Sequence, residues 1–175
     1  MLETRSTTFE RDGNRIGGYA MVWDAPSRPI TVAGLNGSRP FVERVAGPQA
    51  VQASLEQNIA VLVQHDKREL VANTKSGLVQ LRTDSKGLAF EVTLPDTQRA
   101  RDVRAMVDAG ILTEMSFGFY TQEDKWSGNE RTLHKIDLRE ISIVSDAAYP
   151  QGGVSLRNHD ATALARLRLR LRYPT

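Results

Sequence analysis

The sequence predicts a mainly β, α+β protein: a small closed or nearly closed, antiparallel-rich barrel of about seven strands, with two or more short helices inserted. Three observations predict it. Runs of alternating apolar and polar residues recur along the chain, as in Leu88–Leu94 and Met115–Tyr120, and period-two alternation marks a half-buried strand. Short turn sequences separate most runs, where a parallel α/β sheet needs a helix after each strand. Before residue 157, helical spacing is confined to the neighbourhoods of residues 48–56 and 96–110.

Taken in order, residues 5–10 and 15–23 alternate around Arg11-Asp12-Gly13-Asn14, a sequence that closes hairpins. Gly17-Gly18 reads as a strand irregularity. Residues 24–40 carry Pro26, Pro29, Pro40 and two glycines, which gives a loop that either borders a cleft or simply connects. Pro48 follows Gly47 at a helix start, and Val51 and Leu55 share one face, predicting a short helix over 48–56. Asn58–Asp66 is a short apolar strand ending in a histidine. Leu78–Arg82 and Leu88–Leu94 flank the turn Thr83–Gly87 as a hairpin. Asp96 is the expected cap of a second helix, with Ala100, Val103 and Val107 as its inner stripe and Gly110 as its stop. A strand over 113–121 leads through Trp126-Ser127-Gly128-Asn129 into a return strand near 131–137. A separate strand over Glu140–Ser145 follows, and the barrel strands are expected to be complete by residue 150.

The 175 residues suffice for one domain with a real core. There is no cysteine, so disulfides and thiol catalysis are excluded, as suits a cytosolic or virion-interior protein. Met1–Arg5 lacks the apolar run of a signal peptide, and no stretch is apolar enough for a membrane helix, so a soluble intracellular protein is expected. Residues 157–175 hold five arginines against Asp160, a balance of +4, which leaves −2 for residues 1–156 of the whole-chain +2. The chain therefore divides into a folded part over 1–156 and a basic C-terminal tail over 157–175. A nucleic-acid-binding domain carries its positive charge on the folded surface. Here the body does not, and only the tail is a candidate for such contact.

Thr113–Tyr120 is the most informative stretch. As a strand it points Met115, Phe117 and Phe119 one way and Glu114, Ser116, Gly118 and Tyr120 the other. Ser116 then shares its face with a glycine, and the open space beside it suits a substrate carbonyl, making it a candidate nucleophile. His65 is the candidate base and Glu140 the candidate acid. Ile141 and Ile143 point together, which places Glu140 and Ser142 on the opposite face, and both Ser116 and Glu140 are expected to emerge on the outer face of the sheet. Singly, each is an ordinary residue. His134 competes for the third place, although its position beside Lys135 suits a solvated surface histidine. Asp66 orients His65 only if the chain turns sharply there, and otherwise ends the strand or pairs with Lys67 or Arg68. No HExxH, Walker loop, GxGxxG or CxxC occurs, so neither a metal nor a nucleotide or redox cofactor is expected.

In this order, His65, Met115-Ser116-Phe117-Gly118-Phe119 and Leu138–Val144 followed by Ala148-Tyr149-Pro150, together with Gly18–Trp23 and Phe41–Gly47, the chain resembles the prohead serine proteases of tailed bacteriophages. The resemblance spans roughly residues 3 to 155. That family is similar in fold to the herpesvirus assembly proteases, whose triad is Ser-His-His. The resemblance implies Ser116 as nucleophile, His65 as base and Glu140 as third member. It implies a serine endopeptidase that cleaves the scaffold segment or major capsid protein, and itself, inside the assembling prohead in the host cytoplasm, and it leaves room for a homodimer. An inert capsid-assembly protein with the same fold, and a hydrolase of other acyl substrates, are the alternatives. Asp146–Gly153 is the expected source of oxyanion donors, with Arg139 a weaker candidate. The tail alternates as a strand does, while Ala161–Leu171 equally suits a basic helix; it docks on the capsid, is removed by self-cleavage, or is a solvated arm without a role.

Overall fold

The computed structural model describes residues 14–148 and the backbone of a strand at 153–156. The expected strand over 5–10, most of its turn, residues 149–152 and the basic tail lie outside the described residues. In chain order the strands are β1 (Arg15–Val22), β2 (Val42–Val45), β3 (Ala60–Val63), β4 (Asp66–Asn73), β5 (Val79–Thr83) and β6 (Gly87–Thr93). The helix α1 (Gln98–Asp108) follows, and then β7 (Glu114–Ser127), β8 (Glu130–Val144) and β9 (Gly153–Leu156).

These strands form two sheets. One has the order β5-β6-β1-β9, and its described pairings are all antiparallel. The other is built on β8, which pairs antiparallel with β7 along one edge and parallel with β2 and β3 along the other, with β4 beyond β3. The protein is mainly β, as expected. No closed barrel is found among the described residues, because the described ladders join each strand only to neighbours within its own sheet. β9 also shows that the strands are not complete by residue 150.

The hairpin β5–β6 matches expectation, with Leu81 opposite Phe90. Its turn is closed by Asp84, whose Oδ1 accepts from the backbone N–H groups of Lys86 and Gly87 at 2.8 and 3.0 Å. The stretch containing Gly17-Gly18 coincides with a shift in the β1–β6 register. In α1 the residues Ala100, Val103 and Val107 are buried, but the N-cap is Thr97 rather than Asp96. Its Oγ1 accepts from Ala100 N–H at 3.2 Å. At the other end Gly110 (φ 71°) donates to Val107, and Ile111 donates to Met106, the paired bonds of a Schellman stop.

The long hairpin β7–β8 replaces three shorter expected strands. The register shifts after Gly118↔Glu140, so that Phe119 faces Leu138 and Arg139 is the extra residue of a bulge. Leu138 and Ile141 are consequently both in the core, together with Met115, Phe117 and Ile143.

β2 and β3 leave a gap along β8 between Leu133 and Glu140. The segment expected to be a helix over 48–56 fills it with two 3-10 turns, Pro48–Ala50 and Gln52–Ser54. The backbone turns aside at Val51 (φ −115°), which ends one piece before the next begins. The expected apolar face is present: Val51 is fully buried and Leu55 packs on the core. Ser54 serves where a strand is missing. Its Oγ accepts from Leu138 N–H at 2.9 Å and donates to the Ile136 carbonyl at 3.1 Å. A buried backbone group without a partner is costly. Ser54→Ala is therefore expected to lower stability by about 1–3 kcal/mol, read as a lower denaturant midpoint with an unchanged slope.

Candidate active site

The strands β3 and β4 meet at a two-residue turn. Val63 pairs with Asp66, and the residues between them, Gln64 (φ 50°) and His65 (φ 60°), are both left-handed. Positive φ at both central positions is the geometry of a type I′ hairpin, which normally takes Asn or Gly. With Gln and His it carries strain of order 1–3 kcal/mol per residue. The turn is pinned to the end of β8 by Gln64 N–H donating to the Ile143 carbonyl at 3.0 Å and by its side chain donating to Ser145 Oγ at 2.9 Å. His65 thus belongs to a tight turn rather than to a strand end.

This turn aims His65 at β8. Its Nδ1 lies 2.8 Å from Glu140 Oε1, with the imidazole 30 % and the glutamate side chain 14 % exposed. An ionised carboxylate only accepts, so against one the proton in this contact belongs to Nδ1. The other oxygen, Oε2, accepts from Ser142 Oγ at 2.6 Å. Glu140 is seated over Gly118, its partner across the β7–β8 ladder. A Cβ on Gly118 would collide with Glu140 Oε1 and lie 3.0 Å from both Cδ and Cγ. The backbone at Gly118 is not left-handed, so glycine is required there for space alone. The open space expected beside Ser116 is real, but the acid fills it.

Ser116 stands directly opposite Ser142, and Gly118 opposite Glu140, so all four share one face. β3 brings Leu62 beside Ser142 on that face. The expected outer placement needs one correction. Ser116 is on the face away from the core but is only 2 % exposed, with Ser142 at 0 % and Leu62 at 4 %. The Ser116 hydroxyl takes part in none of the side-chain hydrogen bonds among the described residues, including any to His65.

The remaining candidates fall elsewhere. His134 is exposed on β8 and contacts none of these groups. Asp66 pairs with Arg68, whose Nη2 is 2.7 Å from Asp66 Oδ2, and this guanidinium holds the carboxyl down at about 2. The chain does turn sharply at His65, yet Asp66 points to its arginine. Arg139 is an exposed neighbour of Asp137 over the Tyr120 ring. In the segment expected to supply oxyanion donors, Ala147 N–H is engaged by Glu114 Oε2 at 2.7 Å. Arg28, from the 24–40 loop, holds the carbonyls of Ala147 and Ala148 at 2.8 and 2.6 Å. That loop is a clamp on the segment after β8. Among the described residues no group of three or more His, Cys, Asp or Glu is placed to hold a metal ion, and no helix is long and apolar enough to cross a membrane.

The sequence puts Ser142 on the face of Glu140 without marking it as functional, and its two-residue spacing from the glutamate is the signal that points to it. Gln64, Arg28 and Glu114 gave no local signal, because their roles arise from segments that meet only in the fold.

The fold is mainly β, and it brings a histidine and a glutamate into contact, with Ser116 on the strand that pairs with the glutamate's. The model of a family described as caudovirus prohead serine protease matches residues 1–165, and the chain belongs to that family. At the family level it is a serine peptidase of phage capsid maturation. The match runs past residue 156, where the folded part was expected to end. None of the curated proteins matches the chain.

Because the obstruction at Gly118 is the end of a flexible side chain, Gly118→Ala should fold with a loss of about 1–3 kcal/mol. Its expected signature is local: Glu140 swings away, and the hydrogen-bonded Nδ1–H resonance of His65 disappears from the NMR spectrum.

Proposed function

We propose that the protein is a serine endopeptidase that cleaves scaffold or capsid-protein segments, and itself, within the assembling prohead in the host cytoplasm, using Ser116, His65 and Glu140. The observation that carries this reading is the 2.8 Å contact between His65 Nδ1 and Glu140 Oε1, made by a carboxylate whose strand partner lies two residues from Ser116. In the proposed reaction Ser116 Oγ attacks a peptide carbonyl while its proton passes to His65 Nε2. The histidine then delivers that proton to the leaving amine as the C–N bond breaks. Water, activated by the same nitrogen, releases the acyl group. Glu140 stabilises the imidazolium formed in each step. Contacts between nucleophile and base are often long until substrate is bound, so the unbonded Ser116 hydroxyl is compatible with this role.

One observation favours a second reading. The 2 % exposure of Ser116 suits an inert assembly protein that keeps the fold. Labelling of Ser116 by a fluorophosphonate supports the peptidase, whereas a folded chain that resists the reagent supports the inert form. The basic segment 157–175 is proposed to dock on acidic protein or nucleic-acid surfaces, an interaction that weakens with salt.

Co-expression with the capsid protein tests the function directly. Ser116→Ala is expected to abolish processing, by up to about 10⁶-fold, and to change stability little, because its hydroxyl makes no hydrogen bond to the described residues. Glu140→Gln is expected to reduce processing severely while His134→Ala leaves it nearly unchanged. Gel analysis of capsid-protein cleavage checks all three, and the reverse ranking of the last two would transfer the third role to His134.

A further inference from the structure

Glu140 has two carboxylate oxygens, and the structure gives each one a partner. Oε1 meets His65 Nδ1 at 2.8 Å, and Oε2 accepts from Ser142 Oγ at 2.6 Å. Ser142 is 0 % exposed, and it is flanked in register by Ser116 on β7 and by Leu62 on β3, both nearly as buried. Water is thereby kept from replacing this donor. Short hydrogen bonds from a hydroxyl to an ionised carboxylate are stronger than neutral ones, and exclusion of water strengthens them further.

The geometry also explains why a serine at this position acts on Glu140 rather than on substrate. Residues two apart on a strand share a face about 7 Å apart, and the length of the glutamate side chain closes that distance. Gly118 supports the carboxylate from beneath, but a glycine supplies no donor and leaves rotation about the last side-chain bond unrestrained. A hydrogen bond to Oε2 removes that freedom and turns Oε1 toward the imidazole. The hydroxyl proton of Ser142 is committed to Glu140, which distinguishes it from the unbonded hydroxyl of Ser116.

We propose that Ser142 is a positioning residue, whose hydroxyl fixes the Glu140 carboxylate so that it orients His65 toward Ser116; this rests on the triad reading above. Ser142 acts through Glu140 and touches no reacting atom. Its effect therefore belongs to the rate of nucleophile activation, and depends wholly on the carboxylate being present.

The test is inactivation of the full chain by a fluorophosphonate, with the limiting rate and the half-saturating concentration measured separately. Ser142→Ala is expected to lower the limiting rate about tenfold or more while half-saturation stays within about twofold, and Ser142→Thr is expected to restore the rate. In the Glu140→Gln background, Ser142→Ala is expected to change nothing further. Thermal unfolding monitors the fold. Should the alanine variant not fold, Ser142→Thr and Ser142→Val, nearly equal in volume, carry the comparison, with threonine fast and valine slow. An undiminished rate in Ser142→Ala or Ser142→Val, or an equal loss with and without the Glu140 carboxylate, overturns the proposal and leaves the triad intact. An unsubstituted chain that is not labelled at Ser116 overturns the triad reading and this proposal together.

Discussion

Leu138 and Ile141 are three residues apart on one strand, yet both lie in the core. A regular strand forbids this, since three steps lead to the opposite face. The extra residue at Arg139 removes the conflict, and the rest of the site depends on that bulge. With it, Arg139 and Glu140 both turn outward, and Gly118 comes into register with the glutamate. Without it, satisfying Leu138 would drive Ile141 and Ile143 out of the core and carry Glu140 in, an exchange of two isoleucines for a charge that no interior accepts cheaply. The core thus enforces the position of the acid.

From that strand the site spreads sideways. β7 contributes the serine and the glycine, β3 leads into the turn with the histidine, and β8 lies between them carrying the acid and its serine partner. Each group stands at a ladder position or in a two-residue turn, where backbone hydrogen bonds limit its drift, and rigid elements hold chemical geometry better than open loops do. The strain of two left-handed residues at Gln64 and His65 is sustained because Gln64 is tied to β8 through both its backbone and its side chain. At the turn end of the β7–β8 hairpin, the buried pair Glu43–Arg131 (2.7 Å) joins β2 to β8. A desolvated ion pair is weak evidence for stability but fixes which residues meet, and here it sets the parallel register.

Much of this was legible in the sequence where a local rule was obeyed. The alternation around Ser116, the β5–β6 hairpin and the Ala100-Val103-Val107 stripe each follow from neighbouring residues. The shared face of Glu140 and Ser142 was also readable, because the bulge lies just before them. Other features obeyed no local rule. β4 begins Asp66-Lys67-Arg68-Glu69, charges that hide a strand but suit an exposed sheet edge, where they discourage pairing with other chains. Gln64-His65 contains no glycine or asparagine to announce a hairpin. At 48–56 the apolar face was right and the element wrong, since the requirement met there is two unpaired backbone groups of β8, invisible without the sheet. Thr97 took the cap from Asp96 because either residue suits that place.

The parallel ladder that sets β3 beside β8 pairs Ala60 with Glu140 and Val63 with Ile143. Nothing local can form it. A ribosome must release nearly the whole domain before these strands meet, and pairings so distant along the chain are slow to find. Histidine and acid consequently remain strangers throughout synthesis, and become neighbours only when the last long strand docks. For an enzyme whose proposed targets include its own chain, and on the triad proposed above, that topology acts as a clock: the nascent polypeptide carries Ser116, His65 and Glu140, yet histidine and acid are not paired until the fold is whole.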